Sequence, residues 1–383
     1  MIPLKYNARN LIVRWKTTLM TASGFTLVVM ALVVMLAFVA GVEQVCATSG
    51  RPENVIVLAK GNSDEVFSQM DTRLANELEN FPGVGRSPSG QPLASREMFL
   101  VVHRLLEDEG VFKFLQIRGV NPVAFDVHTE VEIIDGRPHR PSQSEILIGK
   151  GVQREHKLNV GDQVDIGRKK WTVVGVFSAG GTAFESEVWC DLTEVASQFR
   201  REGIYSSVVL GTESADAAVD LVERLTASRS IVCNPKTEPD YYAKQGEQMQ
   251  TIANGTWIIA WFMGIGAIFG VMNTMFAAIG QRRKDIAVLR IMGFLPHEIL
   301  ISFLLEAILI SIVGGALGIM LGMGVNGFSR SMAVGGAREI EFAFRVTEST
   351  VAFAAGFALT MGVLGGLLPA FSVVRIQPLE ALR

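Results

Sequence analysis

Glu306 is the residue whose position first asks for a chemical explanation. It is an ionisable side chain about two turns inside a stretch otherwise suited to lipid, where a lone carboxylate is costly and is normally paired or functional. Its candidate partners in the chain are Arg282, Arg283 and Lys284. A group on a second protomer, or a reach back to the interface, would serve equally. Other chemistry is sparse. A phosphate-binding loop needs GxxxxGK[ST], so that backbone amides and the lysine hold phosphates. Gly149-Lys150-Gly151 lacks both the earlier glycine and the hydroxyl. His103, His128, His139 and His156 show no metal-ligand spacing and read as surface histidines, and Arg168-Lys169-Lys170 reads as a solvated turn. No GxSxG or HExxH occurs, so no catalytic, cofactor-binding or metal residue is assigned. The three cysteines, Cys46, Cys190 and Cys233, exclude a disulfide framework, and spacing alone does not say whether Cys190 and Cys233 pair. A net charge of −3 with no basic stripe excludes a nucleic-acid partner.

Interaction motifs are better represented than catalytic ones. The segment from Gln281 to Gly293 carries Arg283, Lys284, Asp285 and Arg290 beside Ile286, Leu289 and Ile291. This pattern predicts a short helix with apolar contacts, ended by Gly293 as a cap. Leu4, Ala8, Leu11, Trp15 and Leu19 recur at helical spacing beside Lys5, Arg9 and Lys16, which predicts an amphipathic helix on the membrane surface over 1–18. Gly266/Gly270, Gly314/Gly318/Gly322 and Gly362/Gly366 have GxxxG spacing, which lets helix backbones approach closely in a tight bundle or dimer.

The elements that must position these groups follow from charge. Of 383 residues, 49% are hydrophobic and only 19% charged, below the roughly 25% of a soluble chain. Four windows without a charge, between Lys16 and Glu43, Glu247 and Arg282, Glu306 and Arg330, and Glu348 and Arg375, each exceed the roughly 20 residues a helix needs to cross lipid. They predict spans at 19–42, 254–280, 299–325 and 350–374. The first is too long for a cleaved signal and no A-x-A site follows it, so it is read as a retained helix. The 1–18 segment, the loop between helices two and three counted through Glu298, and the 375–383 tail together carry ten basic and three acidic residues, whereas 43–250 carries 22 basic and 31 acidic. The positive-inside rule therefore places both termini and the 281–297 loop in the cytoplasm, and 43–250 and the 326–349 loop outside.

The 43–250 segment reads as mixed α/β. Strands are expected at 54–58, 145–149, 163–167 and 171–176, and a helix at 216–227. Asn62, with Glu65 three residues on, predicts a capping box opening a helix that runs to about Asn80. The fold class is thus a four-helix membrane protein with a mixed α/β extracytoplasmic domain inserted between helices one and two.

The run Arg283-Lys284-Asp285-Ile286-Ala287-Val288-Leu289-Arg290-Ile291-Met292-Gly293 resembles the [RK]-x-[DE]-I-[GA]-[IV]-L-R-x-x-G segment of the MacB/FtsX family of ABC transporter permeases. Phe303-Leu304-Leu305-Glu306-Ala307, followed by Gly314-Gly315-Ala316-Leu317-Gly318, is similar too. So are Gly366-Leu367-Leu368-Pro369-Ala370 and a C-terminal signature holding Pro378, Leu379, Leu382 and Arg383. Arg9-Asn10-Leu11 and Lys16-Thr17-Thr18 resemble the family's start; Arg118-Gly119-Val120-Asn121-Pro122, Gly136-Arg137 and Gly161-Asp162 resemble its periplasmic core more loosely. Asp285 stands where the family often has Glu. The resemblance implies a permease in a bacterial inner membrane that dimerises, as homo- or heterodimer, and docks two ATPase subunits on the 281–293 coupling helix. ATP and Mg would be bound by those partners, with no cofactor in this chain. It further implies contact with membrane lipids and, in export systems, a periplasmic adaptor. Two outputs are expected: export or extraction of a drug, peptide, lipid or lipoprotein, or FtsX-like activation of a cell-wall hydrolase without transport.

Overall fold

The computed structural model describes residues 15–106, 110–334 and 338–374. Most of the expected surface helix at 1–18, and the 375–383 tail with Pro378, Leu379, Leu382 and Arg383, lie outside the described residues. The chain divides into two units. The first comprises Met1–Gly41, Thr251–Phe328 and Ala343–Arg383; the second comprises Val42–Gln250 and Ser329–Phe342.

In chain order, helix α1 (Trp15–Thr48) precedes strands β1 (Asn54–Ala59) and β2 (Met70–Asp71) and helix α2 (Thr72–Glu79). Strands β3 (Ala94–Leu106) and β4 (Val111–Val120) form a long hairpin, followed by the single turn α3 (Ala124–Val127). Next come β5 (Glu132–Gly136), β6 (Glu145–Gly149), α4 (Lys150–His156), β7 (Gln163–Ile166) and β8 (Lys169–Ser178). A 3-10 turn at Ala183–Ser186 leads into β9 (Glu187–Asp191), α5 (Leu192–Phe199), β10 (Ile204–Tyr205) and β11 (Ser207–Gly211). Helix α6 (Ala215–Ala227) and β12 (Cys233–Thr237) precede the 44-residue helix α7 (Glu238–Gln281). Helices α8 (Arg283–Ile291) and α9 (Pro296–Met323), the hairpin β13 (Ser329–Val334) and β14 (Arg338–Ala343), and α10 (Glu348–Val374) complete the chain.

Among the described residues, four helices are long and apolar enough to cross a membrane: Thr18–Thr48, Asn254–Gln281, Pro296–Met323 and Glu348–Val374. The α/β unit enters the chain between the first and second of them, which is the architecture expected. Boundaries differ where the fold extends a helix beyond its charge-free window. Helix α1 continues past 42 to Thr48, whereas the second span starts at Asn254 as expected, inside a helix α7 that itself begins at Glu238. The 326–349 segment is a β-hairpin rather than a plain loop, and its strands belong to the α/β unit.

The membrane unit packs through its small residues. A Cβ on Gly314 would lie 2.6 Å from that of Phe25, one on Gly318 2.8 Å from that of Val29, and one on Gly322 2.7 Å from that of Val33. Gly362 lies against Ser311, and a Cβ on Gly366 would lie 2.6 Å from that of Ala307. The first three thus seat α9 on α1, and the last two seat α10 on α9. Thr26 donates its hydroxyl across the α1–α9 seam to the Gly314 carbonyl at 3.1 Å. Pro369, inside α10, is buried in the same packing. Gly266 and Gly270 meet no other side chain among the described residues. The GxxxG spacing therefore serves contacts within the chain at two of its three occurrences.

The α/β unit is built on one ten-stranded mixed sheet, ordered β12-β1-β11-β3-β4-β9-β6-β8-β5, with β7 beside β8. Strand alternation sorts its residues onto two faces. One face carries Val55, Val57, Met98, Leu100, Leu115, Ile117, Val188, Val208 and Leu210, packed under α2, α4, α5 and α6 in two apolar clusters. The register pairs Phe99 with Arg118, Arg118 with Trp189, Gln116 with Glu187, and Ser207 with Glu97. The opposite face is therefore lined by charge and aromatic rings.

The capping box predicted at Asn62 does not form. Asn62 sits in the turn after β1, bonded through its N–H to the Ala59 carbonyl at 3.1 Å. Helix α2 starts ten residues later, where Asp71 Oδ1 accepts the Leu74 N–H at 2.8 Å. Glu65 is drawn instead into the buried charged face. The glycines of Gly149-Lys150-Gly151 have a packing reason: a Cβ on either would strike the 3-10 turn at Glu185. Helix α6 has its expected place, capped by Ser214.

Candidate functional site

The loop between the second and third spans forms α8, which has two faces. Ile286 and Ala287 are buried, and Leu289 packs on the membrane-unit core beside Ile299 and Phe303. Arg283, Lys284 and Asp285 are exposed, as are Val288, Ile291, Met292 and Leu295. The helix ends in a Schellman motif: the Phe294 N–H reaches the Leu289 carbonyl and the Gly293 N–H the Arg290 carbonyl, both at 3.2 Å. Gly293 takes φ +97°, a conformation that favours glycine. Of the apolar contacts expected from sequence, Ile291 faces outward, whereas Ile286 and Leu289 face the bundle.

Glu306 is buried at the base of this helix and paired with Arg282, whose two terminal nitrogens stand 3.0 and 3.4 Å from its oxygens. The Phe303 ring lies under the guanidinium at 5.8 Å. Of the three basic candidates, Arg283 and Lys284 stay at the surface. A bidentate pair holds α9 to the junction of α7 and α8, so the short helix has little freedom to roll.

The second constellation was not visible in the sequence. Arg118 is buried on the charged face of the sheet and aims its N–H groups at three carboxylates. Its Nε and one Nη hold Glu187 at 2.6 and 2.8 Å, and Glu65 lies at 2.7 and 3.1 Å. The third carboxylate, Glu97, accepts at 2.5 Å. Phe99 and Phe184 lie 4.9 and 5.4 Å from the guanidinium, and Ser207 donates to Glu65 at 2.7 Å. Burial opposes the Arg118 charge, but Glu187, Glu65 and Glu97 outweigh it and push its pKa further up.

Glu97 connects this group to His128, 2.8 Å away at Nε2. His128 is wholly buried, packed edge-on against Phe184 and Trp189 at 5.0 and 5.5 Å, which corrects its reading as a surface histidine; His156 is buried as well. Burial would lower the His128 pKa, but Glu97, Glu130 and Glu238 raise it well above the usual imidazole range. Burial raises the Glu238 carboxyl, with His128 acting against it. His128 Nδ1 lies 3.7 Å from Oε1 of both Glu130 and Glu238. One ligand atom from each of these residues falls within 4.8 Å of the other two, making this the group that could hold a metal among the described residues.

The cue that was available is Arg118 itself, a charged residue inside Phe114-Leu115-Gln116-Ile117-Arg118-Gly119-Val120. A strand buried on both faces reads as a near-continuous apolar run, so an arginine there signals a buried partner. Cys190 and Cys233 are free thiols on different strands; burial raises both, Cys233 to about 11. In the predicted solvated turn, Lys169 pairs with Glu194.

Four spanning helices, an α/β unit inserted after the first, and a short two-faced helix between the second and third define an ABC-type permease architecture. The chain matches the MacB-like periplasmic core domain over residues 18–228 and the FtsX-like permease C-terminal domain over 257–378. It belongs to the MacB/FtsX family of ABC transporter permeases, membrane proteins with an extracytoplasmic domain. It is 26% identical over 399 residues to the macrolide export ATP-binding/permease protein MacB of Hahella chejuensis, covering 95% of this chain and 57% of that protein. To the uncharacterized ABC transporter permease YknZ of Bacillus subtilis it is 25% identical over 397 residues, covering 96% and 94%. The chain thus spans little more than half the length of the MacB relative. Among solved structures, the extracellular domain of the noncanonic ABC-type transporter YknZ from Gram-positive bacteria is similar at a TM-score of 0.34 and 21% identity. That match covers 48% of this chain and 99% of that one.

Proposed function

We propose that this chain is the permease subunit of an ABC complex that converts ATP hydrolysis on a partner ATPase into movement of its extracytoplasmic unit. The observation that carries the reading is the outward face of α8. Val288, Ile291, Met292 and Leu295 are 45–63% exposed beside Arg283 and Lys284. An apolar patch rimmed by charge, on a helix locked to its bundle by the Arg282–Glu306 pair, suits docking of a second polypeptide. ATP and Mg are assigned to the ATPase that docks on α8, since no GxxxxGK[ST] occurs within these 383 residues to hold them.

In this reading both termini and α8 face the cytoplasm, and two copies of the permease bind two ATPases. ATP closes the ATPases under α8, the membrane helices shift, and the outer units respond. The cargo need not pass between the helices. The size of the 43–250 segment, about 200 residues, supports export over hydrolase activation.

Ile291→Asp and Met292→Asp should abolish co-purification of the ATPase from detergent while leaving membrane insertion intact. ATPase recovery at the wild-type level would overturn the docking role. Leu289→Asp tests folding instead, because Leu289 packs inward. Orientation is tested by single cysteines at Lys284 and at Asp216 of the α/β unit. Labelling of both by a membrane-impermeant maleimide on intact cells would refute it.

A further inference from the structure

We propose that His128, Glu130 and Glu238 form a binding site for one divalent transition-metal ion of the zinc class. Each residue aims a free ligand atom at the others. Nε2 of His128 is engaged by Glu97 at 2.8 Å, which leaves Nδ1 buried without a hydrogen-bond partner. Oε2 of Glu238 is held by the Arg51 N–H at 3.0 Å and the Asn54 amide at 2.9 Å, which turns Oε1 toward His128. Both carboxylate oxygens of Glu130 are buried without a hydrogen-bond partner among the described residues.

The distances suit an ion. Zinc–nitrogen and zinc–oxygen bonds of about 2.1 Å at tetrahedral angles separate ligand atoms by about 3.4 Å. Here Nδ1 stands 3.7 Å from each carboxylate oxygen, too far for a hydrogen bond and a few tenths of an ångström from that spacing. Mixed imidazole and carboxylate donors favour a first-row transition metal over Mg²⁺ or Ca²⁺. Glu97 supplies the carboxylate that orients metal-bound histidines through their second nitrogen. Phe184 and Trp189 fix the ring and keep water off its sides.

Charge leads to the same conclusion. Glu65, Glu97, Glu187 and Glu238 are buried, and Arg118 and His128 are the buried cations beside them. Coordination at Nδ1 needs the neutral imidazole, so the ion would take the place of the ring's second proton and bring one more positive charge beside these carboxylates. Glu130, with its side chain 20% exposed, forms the lip through which the ion enters. The site would tie the 128–130 segment to the first residue of α7, a structural clamp at the root of that helix.

The full-length permease in detergent is stripped with chelator and titrated with Zn²⁺ and Co²⁺. Wild type should take up one equivalent, rise in Tm with zinc concentration, and give the visible absorption of four-coordinate Co²⁺. Glu130→Gln should weaken zinc binding by more than about 10-fold, and Glu97→Gln by about 10–100-fold through ring orientation. Less than a tenth of an equivalent in wild type, equal affinity for Mg²⁺, or unchanged binding in Glu130→Gln and Glu238→Gln would each overturn the proposal. Should the variants fail to fold, the wild-type stoichiometry and Co²⁺ spectrum decide it alone.

Discussion

Arg118 directs five N–H donations at Glu65, Glu97 and Glu187, so its removal strands three buried carboxylates. Breaking a buried charge pair costs about 3–5 kcal/mol, and Arg118→Leu should lower the stability of the α/β unit by at least that much. Urea denaturation followed by tryptophan fluorescence, with Trp171 and Trp189 both buried reporters, would show it. Arg118→Lys should recover only part, since an ammonium cannot bind two carboxylates through a planar fork. His156 gives a pH signature. Burial first, and then Arg104, lower its pKa to about 4 from the usual 6.5. The folded state therefore prefers neutral imidazole, and the unfolded chain binds more protons between those values. Stability is complete above about pH 6.5 and falls as pH drops toward 4, by roughly 3 kcal/mol across the window. In His156→Gln that slope should shrink relative to wild type.

Among the elements, α9 is the one most dependent on close approach. Gly314, Gly318 and Gly322 meet α1 with no room for a Cβ, and Gly315 meets Ala358 of α10. Gly318→Leu should force α1 and α9 apart and reduce folded, detergent-soluble protein sharply, since overpacking a well-packed core costs about 1–3 kcal/mol. Gly266→Leu, where a side chain meets open space, should leave monomer folding unchanged. Size-exclusion profiles of the two variants make the comparison, and equal losses would contradict the packing described. The same Gly266 variant probes whether α7 carries the dimer contact, since Trp261, Phe262, Ile265 and Phe269 stand exposed around it.

For the whole molecule, the division into units means that the backbone passes between them four times, near residues 41, 250, 328 and 342. An insertion between two helices would need only two passages. The extra pair comes from the β13–β14 hairpin, which is fastened to its unit by polar contacts. Arg154 pairs with Glu341 at 2.8 Å, Ser331 bonds to Glu155, and Ser186 accepts the Glu341 N–H at 2.8 Å. In the double variant Arg154→Ala, Glu155→Ala the hairpin should loosen and trypsin should cut at Arg330 faster than in wild type. Cutting at the wild-type rate would show that the backbone contacts suffice.

What the sequence determined by itself was whatever a local rule governs. Lipid demands about 20 uncharged helical residues in a row, so four spans and an inserted polar unit were legible, and the run from Arg283 to Gly293 identified the α8 helix and its glycine stop. Strands such as 145–149 and 171–176 were legible because their apolar runs end in turn residues. The tertiary structure alone decided which charges are buried. Glu65 carried a good capping pattern, yet Asp71 caps α2 and Glu65 meets an arginine 53 residues away. His128 and Glu238 carry no mutual spacing signal across 110 residues; sheet register and the start of α7 bring them to 3.7 Å. Periodicity encodes which face of an element is apolar, but only the packed chain says which polar side chains share a dry space, because that depends on contacts between segments distant in the sequence.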